Sequence, residues 1–208
     1  MLTLYHCPMT RSARALWMLE EIGCPYTLNI VNIRAGEGRD PAYRRLHPHG
    51  KVPALVHDGA VIPDSTAILL YLADLYPQAR LAPPLDDPRR GPYLAWMTYT
   101  SGVIEPAFTA RQYGHDYEPR ATAWGAFDDM AGHLQQGAAA ASPYLLGDFT
   151  AADILIGGAI QFAMRLERLP KSDAFERYTA ALAARPAFQR ATAKDAALEQ
   201  NSATQGEA

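Results

Sequence analysis

Cysteine is scarce in this chain: Cys7 and Cys24 are the only two in 208 residues. They flank a helix-periodic stretch of about three turns, roughly 18 Å long at 1.5 Å per residue. A disulfide needs Cα atoms within about 7 Å, so both are expected as free thiols, as in a reducing compartment. A basic excess is missing too. The 19 Lys and Arg face 22 Asp and Glu, for a net charge of −3, and no stretch builds a cationic face. Nucleic acid is therefore not expected as a partner. No apolar run approaches the ~20 residues that span a bilayer, which excludes a membrane-spanning role. Met1 leads straight into a strand-like segment without the flank or core of a signal peptide. The expectation is a cytoplasmic protein. His47 and His49 are separated by Pro48 and have no acidic neighbour in sequence, so no metal is expected.

What is present has a clear order. About 200 residues allow one large domain or two small ones. Leu2 to Tyr5 reads as a strand, Arg11 to Ile22 as an amphipathic helix, and Tyr26 to Val31 as a second strand. Asp40 to Leu46 is a short helix or turn. Ala54 to His57 and Val61-Ile62, joined by Asp58-Gly59, form a hairpin, and Asp64 to Leu75 a helix. The order βαβ then ββα predicts an α/β domain over residues 1–77. Residues 78–90, rich in Pro, Asp and Arg, read as a linker. No strand signal follows. Helices are expected at Tyr93 to Tyr113, Pro119 to Ala141, Ala151 to Leu166, Asp173 to Ala184 and Ala187 to Ala197. Residues 91–198 thus form an all-α domain, and 199–208 a polar tail expected to be disordered. Thr150-Ala151-Ala152-Asp153 is a reciprocal helix cap with a folding role.

Two short motifs point to a ligand. Val52-Pro53 lies at the mouth of a strand, where a cis bond is accessible and would turn the Val52 N–H and C=O outward to pair with an extended peptide. Asp64 and Ser65 open a helix, whose N-terminal N–H groups suit a carboxylate. Ser65 adds a hydroxyl, and Asp64 can meet an ammonium. A peptide with an α-amino-acid end satisfies all of these groups.

These residues resemble the glutathione S-transferase family. His47-Pro48-His49-Gly50-Lys51-Val52-Pro53-Ala54-Leu55 is similar to its Asn-Pro-x-Gly-x-Val-Pro-x-Leu, and Asp64-Ser65 to its Glu/Asp-Ser-x-Ala-Ile. Leu2-Thr3-Leu4-Tyr5, Arg14 and Leu19-Glu20-Glu21-Ile22-Gly23 resemble its first strand and helix. Gly147-Asp148-Phe149-Thr150-Ala151-Ala152-Asp153-Ile154 resembles its capping signature. The resemblance runs from Met1 to about Lys194. It implies a thioredoxin-like first domain, an all-helical second domain and a homodimer. Glutathione would be a co-substrate, with no cofactor, and a hydrophobic electrophilic small molecule the second substrate.

The resemblance also assigns chemistry. A free thiol is only a few per cent ionised at pH 7, and lowering its pKa by about two units takes roughly 2.7 kcal/mol. The family places a donor for the sulfur between the first strand and helix, here His6 to Ser12. Thr10 is the first candidate, with a plain helix cap as its other role; Ser12 is the second. Arg11 could add charge, and Tyr5 is expected in the core or an interface. Cys7-Pro8 keeps open an omega-like thiol transferase in which Cys7 forms a mixed disulfide. A further alternative is a non-catalytic binding protein of the same fold. Lys51, Val52, Pro53, His49, Asp64 and Ser65 are the expected glutathione contacts. Tyr99 and Phe108 are candidates for the second-substrate wall, alongside the helix-spaced Trp96, Ile104 and Tyr113, with Arg111 and His115 farther along.

Overall fold

Burial alternates along Leu2–His6 (β1): Leu2, Leu4 and His6 are buried, while Thr3 and Tyr5 between them are half-buried. In the computed structural model, which describes residues 1–205 and side chains as far as residue 200, β1 is the inner strand of a mixed sheet. It pairs parallel with Tyr26–Ile30 (β2) and antiparallel with Ala54–His57 (β3), and β3 pairs with Ala60–Pro63 (β4), in the order β2-β1-β3-β4. Asp58 and Gly59 turn the hairpin with φ of 48° and 88°, the left-handed pair that a two-residue turn requires. Ala13–Ile22 (α1) connects the parallel strands and stops at Gly23, whose φ is 72°. A single turn, Pro41–Arg44 (α2), precedes β3, and Ser65–Leu75 (α3) follows β4. This is the thioredoxin-like arrangement expected from the sequence.

The chain divides into two compact units, residues 1–79 with the chain from 185 onward, and residues 80–184. This differs from the expected boundaries at both ends. The last helix, Pro186–Gln205 (α9), belongs with the first unit because it packs on α1. The Trp17 and Phe188 rings meet edge to face at 4.8 Å. Arg185 makes a two-pronged bond to Glu21 at 2.7 and 2.8 Å. Glu20, buried on α1, receives Arg190 at 3.0 Å and Lys194 at 2.5 Å. The tail expected to lack structure from 199 is helical as far as Gln205. The remainder of that expectation, 206–208, lies outside the described residues. The expected linker is also tied down: the Leu81 carbonyl accepts from Ala151 N–H at 2.7 Å, and Arg89 pairs with Asp87 and Asp148.

The second unit is helical: Arg90–Tyr99 (α4), Glu105–Gln112 (α5), Phe127–Ala140 (α6), Ala151–Arg165 (α7) and Asp173–Ala183 (α8). The helix expected over Tyr93 to Tyr113 is interrupted by a π turn at Thr100–Ile104. Pro106, in the first turn of α5, has no N–H for the carbonyl one turn back, so the ladder widens there. The helix expected from Pro119 starts at Phe127, because Gly125 takes a φ of 64°. The α7 helix is buried nearly all round, as a core helix must be. Its Asp153 carboxylate, fully buried, accepts from Thr150 N–H, Leu145 N–H and Tyr178 O–H. Among the described residues no helix is long and apolar enough to cross a membrane.

Candidate functional site

The loop between β1 and α1 folds around one carbonyl. Thr10 Oγ1 and Ser12 Oγ both donate to Cys7 O, at 2.7 and 2.9 Å, and lie 2.8 Å from each other. Ser12 also accepts from Cys7 N–H at 3.1 Å and lies 2.8 Å from His6 Nδ1. Ser12 is fully buried, whereas Thr10 is half-buried. Of the two expected hydroxyls, Thr10 is therefore the one that reaches the surface, and Ser12 lies behind it. Thr10 caps weakly at best, since Ser12 N–H reaches its hydroxyl at 3.3 Å.

Cys7 is 2% exposed and packs with Val31, Tyr43 and Val52, against which Tyr5, Ile33 and Leu46 are laid. Burial pushes its thiol up, opposed in part by the Ile33 backbone and the Arg34 charge. A catalytic cysteine needs the reverse, exposure and a lowered pKa. The loop is too short for Cys7 to leave the end of β1, and its sulfur stays in the core. Tyr5 has the expected structural place: its ring meets Tyr43 at 5.8 Å. Burial, with Tyr5 and Cys7 adding, pushes Tyr43 up to about 12. It remains a hydroxyl donor, to Lys51 O at 2.6 Å.

The same buried cluster brings Val52 beside the loop. The Val52-Pro53 bond is cis, as expected. Among the described residues no partner pairs with the Val52 N–H or C=O. Lys51 and His49 are exposed at the same edge. The approach to Val52 is fixed by a backbone contact between glycines. A Cβ on Gly50 would lie 2.1 Å from Gly38 O, and one on Gly38 2.2 Å from Gly50 O. His47 is buried below; burial first, and His49 second, hold its ring below the usual histidine range. Among the described residues no three or more His, Cys, Asp or Glu side chains gather as a metal site.

At α3 the groups divide differently from the sequence expectation. Asp64 Oδ1 accepts from Thr66 N–H at 2.8 Å and Ala67 N–H at 3.1 Å, and Ile68 N–H bonds to Asp64 O. Asp64 is thus first a helix cap, held at a φ of 82°, a conformation that a residue with a side chain adopts at a cost. The N–H and hydroxyl of Ser65 have no partner among the described residues, and Asp64 Oδ2 is also unpaired.

In the second unit, Tyr99 is half-buried with its ring against Trp96 at 5.8 Å and His133 at 5.0 Å. Phe108 is 9% exposed and packs on Phe127 at 5.3 Å. Arg111 lies over the Phe127 ring at 4.1 Å, and His115 stacks on Tyr113. Phe108 is a packing residue first, because its ring meets another ring rather than solvent.

Two residue pairs that the sequence does not single out complete the loop. His6 has no exposure, and its Nε2 lies 3.0 Å from Asp195 Oδ1 on α9. Asp195 Oδ2 accepts from Met9 N–H at 3.0 Å. Arg34 bonds to Pro8 O at 2.9 Å and pairs with Glu199 of α9. The only sequence signal was a histidine on the buried side of a strand.

Comparisons with known proteins agree with this geometry. The family model for the glutathione S-transferase N-terminal domain matches residues 7–75. The crystal structure of a glutathione transferase from Methylococcus capsulatus is similar with a TM-score of 0.78 at 27% identity, over 94% of this chain and 99% of that one. The chain belongs to the glutathione S-transferase family. Among curated members, glutathione S-transferase 3 of Schizosaccharomyces pombe is 34% identical over 106 residues, 51% of this chain and 43% of that protein. The chain therefore spans less than half the length of that relative. Maleylacetoacetate isomerase of Pseudomonas aeruginosa is 36% identical over 149 residues, 67% of this chain and 66% of that protein.

Proposed function

We propose that the protein binds glutathione on its first unit and holds the thiol as a thiolate with the Thr10 hydroxyl, for attack on an electrophilic small molecule. The observation that carries this reading is the shared cluster of Cys7 and Val52. It sets an unpaired backbone edge, suited to the peptide of glutathione, next to a loop that ends in a half-buried hydroxyl. Ser65 offers an N–H and a hydroxyl to the amino-acid carboxylate, Asp64 Oδ2 an acceptor to its ammonium, and Lys51 a cation to the glycyl carboxylate. Catalysis then consists of positioning and anion stabilisation, without a metal or a covalent enzyme intermediate. The burial of Cys7 favours this over a mixed-disulfide mechanism. The second unit supplies the electrophile site, with Tyr99 as its accessible candidate. The same reading includes a cytoplasmic homodimer, which a monomer by light scattering at micromolar concentration would refute.

A second reading follows from the isomerase similarity. There the thiolate would add to an activated double bond, allow rotation, and leave unchanged. One experiment separates the two. The protein is incubated with glutathione and either a generic aromatic electrophile or a cis-unsaturated dicarbonyl acid, and the products are weighed. A stable glutathione conjugate supports conjugation. An isomer of unchanged mass with all glutathione recovered supports isomerisation. Neither product, together with no glutathione binding by calorimetry, would overturn both.

A further inference from the structure

The peptide unit between Pro8 and Met9 is held from both sides. Its N–H donates to Asp195 Oδ2 of α9 at 3.0 Å, and its carbonyl accepts from Arg34 Nη2 at 2.9 Å. Arg34 Nη1 in turn donates to both oxygens of Glu199, at 2.8 and 3.1 Å. Asp195 and Glu199 are four residues apart, so they lie on one face of α9. Asp195 is buried, and its other oxygen makes no hydrogen bond among the described residues. The Met9 N–H is thus the group that this carboxylate holds.

Met9 needs to be held. Its φ is 58°, a region that a residue with a side chain enters at a cost. The side chain is exposed, so core packing does not impose the conformation. Cys7 to Thr10 make a turn with Pro8 at the second position and a positive φ at the third. This is the type II pattern, whose third residue is ordinarily Gly or Asn. The common alternative, type I, also takes Pro at the second position, but it flips the central peptide and returns the third residue to a φ of about −90°. In a trans peptide the C=O and N–H point in opposite directions. A flip of Pro8-Met9 would therefore set its carbonyl oxygen against the Asp195 carboxylate and its N–H against the Arg34 guanidinium. Both hydrogen bonds would be lost, with acceptor facing acceptor and donor facing donor. Thr10, the next residue, closes the same turn with its side chain, through Oγ1 to Cys7 O at 2.7 Å.

We infer that Asp195, with Arg34 opposite it, is a positioning residue for thiol activation: the two fix the Pro8-Met9 peptide in its strained orientation, and that orientation sets where the Thr10 hydroxyl lies. This rests on the reading that Thr10 faces the glutathione sulfur. The last helix then acts on the chemistry without touching substrate. Once the peptide is released, Met9 relaxes to a negative φ and Thr10 turns with it. The bound thiol loses its donor, while the Val52 edge and Ser65, which belong to other segments, keep their hold on the rest of glutathione.

Two measurements test this. A strong NOE between the Met9 N–H and its own Hα marks a positive φ. It should be present in the unmodified protein, persist in Asp195→Asn, which keeps an acceptor oxygen, and weaken in Asp195→Ala. A strong NOE retained in Asp195→Ala overturns the inference, whatever glutathione does. Should Asp195→Ala fail to fold, Arg34→Ala, at an exposed side chain, is expected to weaken the same NOE, and an unchanged NOE there overturns it too. The second measurement is kinetic. Asp195→Ala should raise the pKa of the bound glutathione thiol, read from thiolate absorbance, and lower kcat about ten-fold, with glutathione Kd within about two-fold. Gly adopts a positive φ freely, so on a Met9→Gly background the same substitution should cost only about two-fold. An equal loss on both backgrounds would reduce Asp195 to an anchor for α9. If Thr10→Ala leaves conjugation intact, the functional reading fails and the positioning role with it, while the NOE still decides whether the peptide is held.

Discussion

Thr10 Oγ1 and Ser12 Oγ lie 2.8 Å apart and converge on the carbonyl oxygen of Cys7. They differ in exposure. Ser12 is sealed inside and can act only through its neighbours, while Thr10 can turn its single proton toward a ligand.

Thr10→Ala should therefore lower conjugation of a generic aromatic electrophile by about 10²-fold, the usual loss for one donor to a developing anion. Thr10→Ser should retain most of the rate. Cys7→Ser should stay close to the unmodified enzyme in steady-state kinetics. Full activity in Thr10→Ala would remove the residue from the mechanism.

The two thiols should react differently. Burial raises the Cys7 thiol and hides it, whereas Cys24 is partly exposed. Brief iodoacetamide treatment of the native protein should place one label on Cys24, with Cys7 labelled only after denaturation. Peptide mass spectrometry reads the outcome, and rapid native labelling of Cys7 would revive the mixed-disulfide mechanism.

Ser65→Ala removes a hydroxyl that has no partner within the protein among the described residues. It should leave the melting temperature within a few degrees and weaken glutathione binding ten-fold or more, as expected for a hydrogen bond to a charged group worth about 1.5–3 kcal/mol. Calorimetry that finds an unchanged Kd would exclude Ser65 from the site.

Gly50→Ala should be costly. Its φ is 61°, and the new Cβ would fall 2.1 Å from Gly38 O. A loss above about 1 kcal/mol in urea unfolding is expected, with weaker glutathione binding, because the Val52 edge must shift. Gly132→Ala, inside α6 with open space around it, should instead stabilise by up to about 1 kcal/mol. The same sign for both variants would contradict the packing described.

Glu20 should make the α1–α9 contact acid-sensitive. Burial acts to raise its carboxyl, but hydrogen bonds from Lys194, Tyr26 and Arg190 outweigh that and hold it below the ordinary value. A lowered folded pKa contributes stability above the unfolded value, near ~4.3, that is lost as pH falls through the folded one. Glu20→Gln should therefore destabilise by about 1.5–3 kcal/mol at pH 7. The difference from the unmodified protein should shrink as pH is lowered below ~4.3. A difference that does not change with pH would show that the carboxylate charge is not what holds α9.

Much of this architecture was legible from local rules. The period-2 burial of β1, the Asp58-Gly59 turn, the cis Val52-Pro53 and the Asp64-Ser65 helix start are each set by residues within a few positions of one another. Such features survive translation from pattern to structure. Two helix expectations failed locally, at Pro106 and Gly125, where one residue's missing N–H or positive φ outweighed the apolar periodicity around it.

Sequence by itself determined the thioredoxin-like order of elements and the glutathione-type motif, because both depend on short-range backbone chemistry. It could not say which of Thr10, Ser12 and Cys7 reaches the surface, since they sit within six positions and differ only in which way they face. Burial separates them, with Cys7 and Ser12 turned into the core and Thr10 left at its edge. Nor could sequence join His6 to Asp195, which are 189 positions apart, or assign α9 to the first unit rather than the second. Those contacts exist only once Trp17, Glu20 and Glu21 of α1 have docked the last helix. Docking is a matter of shape and charge between two surfaces, and neither surface can be read from its own sequence periodicity.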